Sequence, residues 1–93
     1  MYYALFYELV DDVVNKRAPY REAHLGLAQK AYEDGLLVLA GALADPPDRA
    51  LLVFRADDAS VAEEFARNDP YVINGIVTNW QVRKWTVVIP NQQ

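Results

Sequence analysis

Ninety-three residues with a formal charge of −4 are expected to form one domain, residues 1–93, and a chain this short buries only about two thirds of its unfolded surface. The acidic balance excludes the electrostatic attraction behind nonspecific nucleic-acid binding and polybasic membrane contacts. The absence of cysteine excludes disulfides, thiolate catalysis and zinc sites built on sulfur.

One histidine rules out a His-rich metal site within a single chain, so no metal is expected. Just over half the residues are hydrophobic, with six Tyr and two Trp, more than the exterior of a small monomer displays; an oligomer is favoured. Residues 1–9 contain Glu8 and no basic leader, and nothing approaches the roughly 18 apolar residues of a membrane span. A soluble cytoplasmic protein is the expectation.

In chain order, Tyr2–Leu9 reads as a strand with Tyr3, Leu5, Tyr7 and Leu9 on one side and Tyr2, Ala4 and Phe6 on the other. Apolar residues on both faces require a cover on the side away from the helices. Asp11–Ala18 is a polar connection. Pro19 then stands at an early helical position, and an amphipathic helix follows to Asp34, stopped by Gly35. At about 100° per residue His24 lies at the middle of the apolar arc of that helix, flanked by Tyr20, Leu27 and Ala31 on one side and Arg21, Leu25, Ala28 and Tyr32 on the other.

Leu36–Leu43 is a second strand, the turn Asp45-Pro46-Pro47-Asp48 follows, and Ala50–Arg55 is its hairpin partner. Ser60 with Glu63 forms a capping box for a short helix ending at Asn68-Asp69-Pro70. Tyr71–Gly75 is a compact linker, and Ile76–Ile89 a long last strand with Trp80 and Trp85 on opposite sides. The order β-α-β-β-α-β is the ferredoxin-like split βαβ arrangement, an α+β fold with a four-stranded antiparallel sheet. Its helix-free face is expected to pack on a second copy as a homodimer.

The chemistry centres on His24. An inward histidine is either a structural ring, satisfied by a backbone group or a carboxylate, or an acid/base group whose unperturbed pKa of about 6.5 suits proton exchange near neutrality. Asp69 follows the second helix on the same sheet face, within reach of His24 as an orienting carboxylate, or it simply caps a helix beside a proline. Arg21, one turn before His24, either neutralises an anionic substrate or snorkels to solvent. Tyr20, Tyr32 and Tyr71 are packing residues or the wall of an aromatic cleft. Gly41 and Gly75 are positions where a ligand can approach the backbone. No phosphate-binding glycine loop or serine nucleophile elbow occurs, and Asp11-Asp12 and Asp57-Asp58 read as solvated turns. What remains is cofactor-independent acid/base chemistry, or a module that binds a small ligand without transforming it.

The strand YYALFYEL, Lys16-Arg17 with Arg21-Glu22-Ala23-His24-Leu25, the segment Gly35 to Gly41, and Asp69-Pro70-Tyr71 with Asn74-Gly75-Ile76 together resemble the YciI-like, or YCII-related domain, family over nearly the whole chain. The resemblance implies a ferredoxin-like protomer of a dimeric α/β barrel, similar in fold to muconolactone isomerase. It also implies a His24–Asp69 dyad regarded in the family as catalytic. A related member is a dehydrochlorinase acting on a chlorinated hydroxyquinol, which places isomerases and lyases acting on small cyclic or aromatic acids among the implied activities. The chain has Gly41-Ala42 where many members have Gly-Pro, and Arg49-Ala50 where a glycine often stands, so a different loop beside the pocket is expected.

Overall fold

The aromatic strand near the N-terminus is one of the two inner strands of the sheet. In the computed structural model, which describes residues 1–90, β1 (Tyr2–Leu9) pairs antiparallel with both β3 (Arg49–Arg55) and β4 (Val77–Trp85), and β2 (Leu37–Ala42) pairs with the outer side of β3. The order β2-β3-β1-β4 is the ferredoxin-like topology expected from the element sequence. Tyr3, Leu5 and Tyr7 of β1 and Leu52 and Phe54 of β3 form the core with Ala62, Phe65 and Ala66 of α3 (Ser60–Asn68). Phe54 and Phe65 meet with ring centroids 5.3 Å apart and planes tilted by 58°, a geometry worth about 0.5–1.5 kcal/mol beyond the area it buries.

The opposite sheet face carries Tyr2, Ala4 and Phe6, whose cross-strand partners are Arg55, Val53 and Leu51 on one side and Trp85, Arg83 and Gln81 on the other. No helix among the described residues covers it: Phe6 and Trp85 are each 46% exposed.

The polar connection after β1 is more ordered than its sequence suggests. It forms a one-turn helix α1 (Val13–Lys16) and a 3-10 turn at Ala18–Tyr20, so Pro19 lies in that turn and α2 begins at Arg21, ending at Glu33. Gly35, at φ 79°, closes α2 as expected. Its N–H reaches the Tyr32 carbonyl at 3.0 Å and the Leu36 N–H reaches that of Ala31 at 3.0 Å, the Schellman pairing. Of residues 71–75, expected as a linker, the first three belong to a second one-turn helix, α4 (Pro70–Ile73), which ends in the same way at Asn74 and Gly75. Gly75 at φ 75° donates to Val72 and Ile76 donates to Tyr71. Ser60 does not cap α3: its N–H and hydroxyl both donate to the Asp58 carboxylate, and the N-cap position falls on Ala59.

β4 is shorter than its apolar pattern. Trp85 pairs with Tyr2, the first residue of β1, so Thr86–Ile89 have no neighbouring strand to bond with among the described residues. Its alternation also breaks. Glu8 pairs with Asn79 and Leu9 with Val77, which leaves Thr78 as a bulge and turns Val77 into the core, against unbroken alternation. The polar tail after Pro90 lies outside the described residues.

Candidate functional site

The helix break at Pro70 builds the site. A residue before proline leaves the helical region, and Asp69 accordingly takes ψ 122° between α3 and α4. Its Oδ1 then accepts the Tyr71 N–H at 2.9 Å and caps α4, so the helix-capping reading of this residue holds. The same carboxylate also meets His24 across 45 positions of sequence: Nδ1 lies 2.8 Å from Oδ1 and 2.9 Å from Oδ2. Asp69 is 0% exposed and the His24 side chain 15% exposed.

A third donor meets this carboxylate. The buried Tyr7 hydroxyl donates to Oδ2 at 2.7 Å. Burial, the neighbouring Asp69 charge and that hydrogen bond, in this order, push the Tyr7 phenol far above its ordinary value, so it remains a proton donor. Its inward position on β1 reads as packing in the sequence. The available signal is that a buried tyrosine hydroxyl must find a partner, and Tyr7 lies on the same sheet face as both helices.

Tyr71 holds the other side of the imidazole. Its ring stacks on His24 at a centroid distance of 3.9 Å and an interplanar angle of 7°. Burial raises the Tyr71 phenol, with Arg17 and then Arg21 opposing that rise. The histidine is thus fixed at one nitrogen by a buried carboxylate and across its face by an aromatic ring. Nε2 has no protein hydrogen-bond partner among the described residues.

His24 and Tyr71 line a cleft of about 870 Å³ between α2 and the β2–β3 half of the sheet. Arg21 and Gly41 also line it, and Tyr7 lies at its floor. Leu25 and Tyr32, expected on the apolar arc of α2, are exposed at its rim, and no α2 residue is fully buried, because the cleft separates part of the helix from the sheet. Gly75 is not among the lining residues. Its positive φ serves the turn from α4 into β4. Arg17 lines the cleft and carried no weight in the sequence beyond its place in a family motif.

The Tyr7–Asp69 bond makes a pH-dependent prediction. A phenol whose folded value lies above its unfolded one contributes stability in full below the unfolded value of 10.0 and loses it as pH rises beyond that, because only the unfolded chain then gives up the proton. Tyr7→Phe is expected to cost about 1–3 kcal/mol near neutrality, by removing one of the three donors to the buried carboxylate. The wild-type advantage should then shrink by about 1.4 kcal/mol per pH unit above pH ~10. Urea unfolding of both proteins from pH 8 to 11 checks this, and a constant gap across the series would refute it.

The chain's relatives agree with this architecture. It superposes on the 5-chloro-2-hydroxyhydroquinone dehydrochlorinase of Burkholderia phenoliruptrix AC1100, in complex with 2,5-dihydroxybenzoquinone, with a TM-score of 0.80 and 16% identity, covering 99% of this chain and 100% of that one. A putative antibiotic biosynthesis monooxygenase from Nitrosomonas europaea gives a TM-score of 0.60 at 14% identity over 94% and 100% of the two chains. The structured domain of Caenorhabditis elegans BMY-1 gives 0.56 at 15% identity over 94% and 98%. At these identities the likeness is one of fold, that of the dimeric α/β-barrel protomer. No curated protein matches the chain. The family profile of the YCII-related domain matches residues 1–86, which takes in every strand, the His24–Asp69 pair and the cleft, and the chain belongs to that family.

Proposed function

We propose that this protein is a cofactor-independent acid/base enzyme of isomerase or lyase type, dehydrochlorination included, acting on a small cyclic or aromatic acid. The observation that carries this reading is His24 itself: Nδ1 is held by a buried carboxylate and Nε2 is left for the cleft. With Nδ1–H donated to Asp69, Nε2 carries the lone pair and takes a proton from a substrate carbon; the C–H electrons pass to a conjugated oxygen or expel a leaving anion. Asp69 balances the imidazolium that forms, and the flat face of Tyr71 keeps the ring from turning. Arg21, which lines the same cleft, supplies the cation for a developing oxyanion on this reading. An isomerase returns the proton to another carbon, whereas a lyase releases it to water. The dehydrochlorinase of similar fold, whose substrate is by name a chlorinated hydroxyhydroquinone, supports the choice of a small oxygenated ring.

The test is solvent exchange. A panel of small ring acids is incubated with the enzyme in D₂O and followed by proton NMR; deuterium appearing at a ring or α carbon reports proton abstraction whatever the net reaction. A ligand that binds in the cleft without exchange or conversion would favour the non-catalytic binding module.

The working form on this reading is a cytoplasmic homodimer in which the helix-free sheet faces pack together. Leu39 of β2, 62% exposed and paired with Val53, extends the apolar patch of Phe6 and Trp85 across the sheet. Sedimentation equilibrium at micromolar concentration is expected to give twice the chain mass, and Phe6→Glu, which places a charge in that patch, to give the monomer. A wild-type monomer at these concentrations would reject the assembly.

A further inference from the structure

We infer that Arg17 joins Arg21 in a two-point anion subsite of the cleft, which makes the substrate class a small ring compound carrying a carboxylate or an equivalent planar oxyanion. This rests on reading the cleft as a small-molecule site, and it adds a specificity residue to that site.

Arg17 closes α1 and Arg21 opens α2; the 3-10 turn between them, in which the Tyr20 N–H reaches the Arg17 carbonyl at 2.9 Å, brings both residues to the lining of the same cleft. The chain holds 13 acidic residues against 9 basic ones, yet no aspartate or glutamate lines this cleft. Neither arginine has a carboxylate partner among the described residues. Asp69 does not fill that role, because its oxygens are already taken by Tyr7, His24 and the Tyr71 N–H at the floor of the site. Both arginines make themselves felt at the Tyr71 phenol, which they draw downward against burial. The cleft of an acidic protein is therefore cationic at the end that carries the reactive imidazole, while Leu37, Ala50 and Leu52 supply an apolar wall suited to a ring. Like charges one turn apart repel, and a bound carboxylate relieves that repulsion while accepting from two planar donors. The anion is then fixed beside His24, and the ring it carries lies along the apolar wall.

The probe pair is benzoate and its neutral isostere benzamide, titrated against the ¹⁵N-labelled protein by NMR at one pH and ionic strength. Benzoate is expected to shift the Arg17, Arg21, His24 and Tyr71 amide signals saturably, with benzamide binding at least about tenfold more weakly. Arg17→Gln should weaken benzoate by about tenfold, the equivalent of one charge-assisted hydrogen bond. Lys30→Gln, which removes the same charge from the exposed side of α2, should leave it unchanged. Arg17→Lys retains the charge without the fork and should fall between the two, so an unfolded Gln variant does not block the test. Equal affinity for benzoate and benzamide, shifts confined to the helix-free face, or wild-type benzoate affinity in both Arg17 variants would overturn the assignment. Benzoate binding is read without turnover, so a failure of the proton-transfer chemistry remains distinguishable from a failure of the subsite.

Discussion

Replacing His24 by asparagine is expected to lower turnover by about 10²–10⁴-fold, the usual contribution of a positioned general base, while leaving a folded protein. Asparagine is the informative substitute, because its amide nitrogen stands the same number of bonds from Cα as Nδ1 and can still donate to Asp69, whereas nothing replaces Nε2. What is lost structurally is the stack on Tyr71, worth about 0.5–1.5 kcal/mol. For a domain of this size each kcal/mol lowers the melting temperature by about 4–8 °C, so the variant should melt several degrees lower and remain native at assay temperature. The deuterium-exchange rate and kcat/KM are measured on the same preparation as the melting curve. A folded His24→Asn protein that exchanges within threefold of wild type would eliminate His24 as the base, and the ring would then be a structural member of the Asp69 network.

The fold was readable because its signals are local. The aromatic and aliphatic runs Tyr2–Leu9 and Ala50–Arg55, the double proline between the hairpin strands and Gly35 after the long helix each specify their own element, and the order of elements leaves the split βαβ topology. The one-turn helices α1 and α4 were not readable, since four residues are too few to display a period. The end of β4 was hidden for a different reason: Thr86–Ile89 are as strand-like as the residues before them, and only the start of β1 at Tyr2 decides where pairing stops. His24 and Asp69 could each be named from position, but a 2.8 Å approach across 45 residues depends on the sheet that carries both helices. Tyr7 was hidden because an inward aromatic residue of a strand looks like core until its hydroxyl is traced to Asp69.

Asp69 is the position where stability and activity should separate most sharply, and two substitutions divide them. Alanine removes every acceptor at once: it leaves the Tyr7 hydroxyl, the Tyr71 N–H and His24 Nδ1 without their partner and uncaps α4. Stranding buried donors in this way costs about 3–5 kcal/mol, a large share of the roughly 5–15 kcal/mol that holds a domain together. At about 4–8 °C per kcal/mol the Asp69→Ala protein should melt at least ~12 °C below wild type. Asparagine has the same shape. Its oxygen can still accept from the Tyr71 N–H and from His24, and its amide can face Tyr7 if that hydroxyl turns to accept, so the expected loss is about 1–3 kcal/mol. Its catalytic effect should nevertheless be large, because a neutral partner no longer balances the imidazolium. A fall in kcat/KM of at least ~10²-fold is expected. The double variant with His24→Asn should be hardly slower than either single one, since both remove the same unit. Asp69→Asn with near-wild-type turnover would rule out the orienting role, and Asp69→Ala melting within a few degrees of wild type would rule out the structural one.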